Sequence, residues 1–181
     1  MVRLDGIILQ MMCFNLIGGV FYSMSNLKIS EDRLHHILSV ARECYQIAKD
    51  KGYDESFCRR MFMIGWNHDV GYEFSEKQEE HPIVSAEMLN TLKISKVSEG
   101  QRVCHAIEKH GQYTQLQTIE WKILNIADMT IDSKGNKVDV TQRLDDIKNR
   151  YGEYSNQYLT ACDLAHVLGL TEINLSENIS K

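Results

Sequence analysis

Apolar residues recur along this 181-residue chain at intervals of three and four, and no stretch keeps a strand-like alternation for long. That pattern predicts helices throughout. Leu34, Ile37, Leu38, Ala41, Cys44, Tyr45 and Ala48 line one face of a first helix. Ser30 is placed to cap its start, Glu31 and Asp32 follow in the first turn, and Lys51-Gly52 closes it. A second helix runs from about Ser56 into Trp66, with Phe57, Met61 and Ile64 inward. Pro82, the single proline, stands at a first helical position and opens a third helix through Met88, Leu89 and Leu92. Val103, Ala106 and Ile107 mark a fourth, ended by Gly111, and Leu116, Ile119, Ile123 and Ala127 mark a fifth. Beyond a turn at Ser133-Lys134-Gly135-Asn136, one helix spans Thr141 to Tyr151, stopped by Gly152, and another spans Ser155 to Leu168. The expected fold class is all-α, a single bundle of about six to seven helices, with loops around 69–80 and 132–140.

Several polar residues fall where these faces turn inward. His36 sits at the edge of the first apolar face, in line with Val40, whereas His35 points with Arg42 and Ser39 to the polar side. His68 continues the row of Met61 and Ile64, and Asp69 follows at the helix end. His110 continues Val103, Ala106 and Ile107, while His105 leaves that row. Asp128 lies in line with Trp121 and Leu124. An isolated carboxylate on a packed face is costly, so it needs a partner or a metal. Any one inward histidine is ordinarily just hydrogen-bonded. Several of them with an inward Asp, all from separate helices, are a metal-binding pattern, and imidazole with carboxylate suits iron, manganese, cobalt or zinc. His166 reads as structural or surface.

Charge and cysteine usage narrow the setting. A net charge of -5 leaves no basic stripe for a nucleic-acid surface. Five scattered cysteines without a C-x-x-C pair fit reduced thiols in a cytoplasm. The apolar run from Gly6 to Met24 carries Gln10 and Asn15, has one basic residue ahead of it, and shows no A-x-A cleavage site. It is a poor signal peptide and a poor membrane span, so no membrane role is expected. Residues 1–24 are read as an apolar extension, with Met24 a natural start, and 25–181 as the domain.

Five short strings, in order, resemble the motifs of the HD superfamily of metal-dependent phosphohydrolases. RLHHILSVA resembles its first motif and selects His36 over His35. FMIGWNHDVGY is similar to the namesake motif at His68-Asp69, with Trp66-Asn67 where an aliphatic pair is usual. HPIVSAEML, AIEKHG and NIADMTID resemble the remaining three, at His81, His110 and Asp128. The resemblance covers roughly Arg33 to Ile131. It implies His36, His68, Asp69 and Asp128 around one divalent ion (Fe, Mn, Co, Zn or Mg). It also implies a second ion at His81 and His110, with Asp69 bridging.

The reaction this implies is hydrolysis of a phosphate ester or anhydride in a nucleotide or related small phosphorylated metabolite, by metal-bound hydroxide. The phosphate then needs cations. Lys109 adjoins His110, and Lys122, Lys134, Lys137 and Arg143 flank the Asp128 segment. Asp69, Lys109 and Arg143 are the catalytic candidates, Arg143 for its bidentate fork; its bland reading is a helix-surface pair with Asp145 or Asp146. Trp66 reads as core, while Tyr72 and Phe74 are open to stacking a nucleobase. The segment from Thr130 to Tyr158 is expected to shape the substrate pocket, its glycine turn approaching a ligand. Dinucleoside-polyphosphate hydrolases are the nearer resemblance within the superfamily. Val70-Gly71-Tyr72-Glu73 lacks the further acidic residues of the guanosine-tetraphosphate hydrolases. Two alternatives stay open: a di-iron oxygenase, and a catalytically silent, metal-stabilised binding module.

Overall fold

The protein is described by a computed structural model over residues 30–91 and 98–171. Seven α-helices occur among these residues: α1 Glu31–Asp50, α2 Glu55–Asn67, α3 His81–Thr91, α4 Ser98–Glu108, α5 Ile119–Met129, α6 Val140–Tyr151 and α7 Asn156–Val167. Short 3-10 turns at Val70–Glu73 and Gln78–Glu80 join α2 to α3. No strand forms among the described residues, only an isolated bridge between Ile131 and Lys137. The extension assigned to residues 1–24, Met24 and Leu92 lie outside the described residues.

Local chemistry sets the helix starts. Ser30 accepts from the Arg33 amide, Asp54 from Phe57, Thr118 from Trp121 and Ser155 from Tyr158. Asp139 and Gln142 form a capping box that opens α6. Each cap satisfies an amide the helix cannot pair internally. Thr118 also corrects one expectation. Because the cap breaks the chain there, Leu116 belongs to the 109–118 connection and is 61% exposed instead of heading the α5 row.

The core draws on every helix, with Val40, Met61, Ile64, Leu89, Ile107, Trp121 and Leu124 at its centre. Ile37, Ala41 and Trp66 make a smaller cluster between α1 and α2, confirming Trp66 as core. These two helices meet backbone to backbone, since a Cβ on Gly65 would come 2.7 Å from the Ala41 Cα. That close approach carries His68 across to His36, with ring centroids 5.5 Å apart. No described helix is long and apolar enough to cross a membrane.

Candidate metal centre

Four buried or nearly buried imidazoles and two carboxylates converge at one end of the bundle. His36 comes from α1, His68 and Asp69 from the turn after α2, His81 from the first residue of α3, His110 from the turn after α4, and Asp128 from α5. His35 is exposed and His105 turns its Nε2 to the Leu116 carbonyl, whereas His36 and His110, the members the helical faces selected, are buried. His81 faces inward despite the adjacent proline.

The imidazoles are held from behind. Nδ1 of His36 donates to the Asp132 carbonyl at 2.8 Å, that of His68 to Gly65 at 2.6 Å, and that of His110 to Ile107 at 2.6 Å. A carbonyl only accepts, so these three rings carry their proton on Nδ1 and direct Nε2 into the cluster. His68 Nε2 is fully buried with no hydrogen-bond partner. It lies 3.4 Å from Asp69 Oδ1, joined there by His81 Nε2 at 3.2 Å and His110 Nε2 at 3.4 Å. His36 Nε2 lies 3.2 Å from Asp128 Oδ1 and 3.7 Å from Asp69 Oδ2. Two triads therefore have the spacing of a metal site, His36–His68–Asp69 and Asp69–His81–His110, and Asp69 belongs to both.

The electrostatics suit cations. Burial pushes the Asp69 carboxyl up, but the neighbouring His68, His110 and His81 outweigh it and hold it well below its ordinary value. Asp128 is lowered too, its burial outweighed by His36 and Arg143. Burial pulls His68 down to about 4 and keeps it neutral, as a ligand must be. Burial lowers His36 and His110 as well, yet the Asp128 and Asp69 carboxylates bring both above the ordinary value. The His81 and His110 Nε2 atoms stand 3.1 Å apart, within hydrogen-bond distance of each other. An unpartnered buried lone pair, preset tautomers and two ionised carboxylates fit divalent metal.

A cavity of about 420 Å³ opens beside the cluster, walled on its far side by α6 and α7. Arg143 lines it, with Nη2 3.6 Å from Asp128 Oδ1 and Nη1 3.4 Å from Asp146 Oδ2, so its place in the cavity and its helix-surface pair coexist. The lysines do not reach it. Lys109 pairs with Glu108 at 2.6 Å and lies outside the cavity lining, because the turn that aims His110 inward aims its neighbour out. Lys122, Lys134 and Lys137 are exposed, and Lys137 pairs with Glu43.

Two further expectations change. Tyr72 is not open to a nucleobase: His81 stacks on it at 3.7 Å and the Arg33 guanidinium covers it at 4.0 Å, filling both faces. Phe74 is exposed and outside the cavity lining. The Gly135 turn approaches α1 rather than a ligand; its φ is +84°, and a Cβ there would meet the His35 carbonyl oxygen at 2.6 Å.

Arg33 is the residue that sequence reasoning missed. Its Nη1 meets Asp69 Oδ2 at 2.5 Å, and it lines the cavity. Its spacing of one helical turn before His36 was the available signal.

A family model described as HD domain matches residues 33–131. No curated protein matches the chain, and no solved structure does.

Proposed function

The chain belongs to the HD domain family, whose members are mostly metal-dependent hydrolases, and from that premise we propose that it hydrolyses a phosphate ester or anhydride in a nucleotide or related small phosphorylated metabolite. The observation that carries this reading is the sharing of Asp69 by two metal-type triads at the mouth of an arginine-lined cavity. His36, His68 and Asp128 would hold one divalent ion, His81 and His110 a second, and Asp69 both. Such ions supply a nucleophilic hydroxide near neutral pH and polarise a phosphoryl oxygen.

The chain's own residues do the rest. Backbone carbonyls behind three imidazoles fix their orientation before any ligand arrives. Arg143, buried against Asp128, would bind the reacting phosphoryl group. Arg33 fixes Asp69 through its second oxygen and offers a further cation at the cavity edge. The cavity suits a small substrate, with no nucleic-acid or membrane partner. The cytoplasm fits the unpaired thiols of Cys44, Cys58, Cys104 and Cys162.

Metal analysis of the purified protein, joined to a phosphate-release screen over nucleotides, tests this. The expected result is one or two divalent ions per chain and turnover, both abolished by Asp69→Ala. Full activity in Asp69→Ala, or oxygen consumption in place of phosphate release, overturns it.

A further inference from the structure

The cavity wall facing the cluster comes from α6 and α7, beyond Ile131, where the family match ends. Along α6, Arg143, Ile147 and Arg150 line the cavity at positions i, i+4 and i+7, one ridge running outward from Asp128. The Arg143 side chain is only 11% exposed, and its Nε is buried with no hydrogen-bond partner. Nη1 of Arg143 and Nη2 of Arg150 approach the same atom, Asp146 Oδ2, at 3.4 and 2.7 Å. Two nitrogens that reach one oxygen at those distances stand within about 6 Å of each other.

A single Asp146 carboxylate does not neutralise two guanidinium groups. Asp128, the other carboxylate near Arg143, lies 3.6 Å from its Nη2 and would be committed to a bound cation together with His36 and His68. With Asp128 so committed, the wall keeps an excess of positive charge, concentrated in two planar forks whose donors converge on an oxygen. Forks so placed match oxyanions on neighbouring phosphorus atoms. To the same lining α7 contributes the neutral Asn156, Gln157 and Thr160. Tyr72, filled on both faces, leaves the cavity without that stacking surface.

We propose that Arg150, together with Arg143, binds a second phosphoryl group adjacent to the one that reacts, so that the substrate is a phosphoanhydride rather than a simple monoester. This rests on the phosphohydrolase reading of the same site. The water oxygen forms a bond to the phosphorus nearest the cluster, and the bridging P–O bond breaks. Its electron pair stays on the bridging oxygen, which departs on the phosphoryl group held by Arg150. The two water protons end on the phosphate products or in solvent. Arg150 thus faces the negative charge that develops on the leaving group, while Asp146 holds the two arginines when no substrate is bound.

Calorimetric binding of inorganic pyrophosphate and of orthophosphate to the metal-loaded full chain tests the proposal. Pyrophosphate is expected to bind the wild type at least about tenfold more tightly than orthophosphate. Arg150→Gln should weaken pyrophosphate about tenfold and orthophosphate less than about twofold, as for one lost charge-assisted contact. Arg150→Lys should recover part of the loss, and Asp146→Asn should tighten pyrophosphate. Arg150 is partly exposed, so its replacement leaves the core untouched, and a thermal melt verifies folding. Equal affinities for the two anions in the wild type, or equal losses of both in Arg150→Gln, overturn the inference. If the phosphohydrolase reading itself fails, no substrate releases phosphate. If only this inference fails, phosphate is released by a protein that does not prefer pyrophosphate.

Discussion

Replacing Gly71 by alanine would put a Cβ 2.2 Å from the His81 carbonyl oxygen and 2.7 Å from both the Ser85 amide nitrogen and its Oγ. Two of those atoms are backbone in the first turns of α3, so no rotamer change relieves the contact. Gly71 N also donates to Ser85 Oγ at 2.7 Å, and any shift that opens space stretches this buried bond. Overpacking costs about 1–3 kcal/mol, and breaking a buried bond a comparable amount. The two overlap, because one displacement serves both, so the expected loss is about 3 kcal/mol. For a domain of this size that lowers Tm by about 6–12 °C. The displaced atom belongs to His81, so affinity for the second ion should fall about 10- to 100-fold while the first ion is held. Differential scanning calorimetry of the metal-free protein and metal titration of the same variant read the two effects. Ser85→Ala is the comparison: it removes the bond without the clash and should show the smaller loss of both. A Gly71→Ala protein that melts within about 2 °C of wild type and binds two ions as tightly refutes the reasoning.

Other substitutions separate positioning from ligation. His36→Ala should lose metal while His35→Ala is nearly silent, as metal content of the purified variants will show; an equal loss at both positions contradicts the face assignment. Tyr72→Phe should keep both ions and Tyr72→Ala should weaken the second, since the ring rather than the hydroxyl separates Arg33 from His81. In metal-free protein, ring NMR should find His68 neutral down to about pH 4, and His36 and His110 protonated at higher pH than an ordinary histidine. Because its folded value lies below the ordinary 6.5, His68 contributes stability that is complete above pH 6.5 and lost as pH falls through about 4. The contributions of His36 and His110 have the opposite sign, full below 6.5 and lost as pH rises through their folded values.

Spacing alone determined a good deal about this protein. The all-α class, the position of each helix to within a few residues and the choice of His36 and His110 over their near neighbours were all legible, because helical period and capping act within a few residues of chain. The same locality set the limits. Leu116 kept the period but lost its place to a Thr118 cap. Lys109 and Arg143 were equivalent as cations near a motif, and only packing turned one to Glu108 and the other to Asp128. Arg33 and Tyr72 acquired roles through partners more than thirty residues away or through a stack that no period encodes.

The convergence itself belongs to the tertiary structure. Six ligand-type side chains from five segments reach one centre because Gly65 lets α1 and α2 touch, Gly71 docks on Ser85, and the Asp132 carbonyl backs His36. Periodicity reports which side of a helix is buried; which side chains then meet depends on how the helices approach one another, and that is settled only when all of them pack.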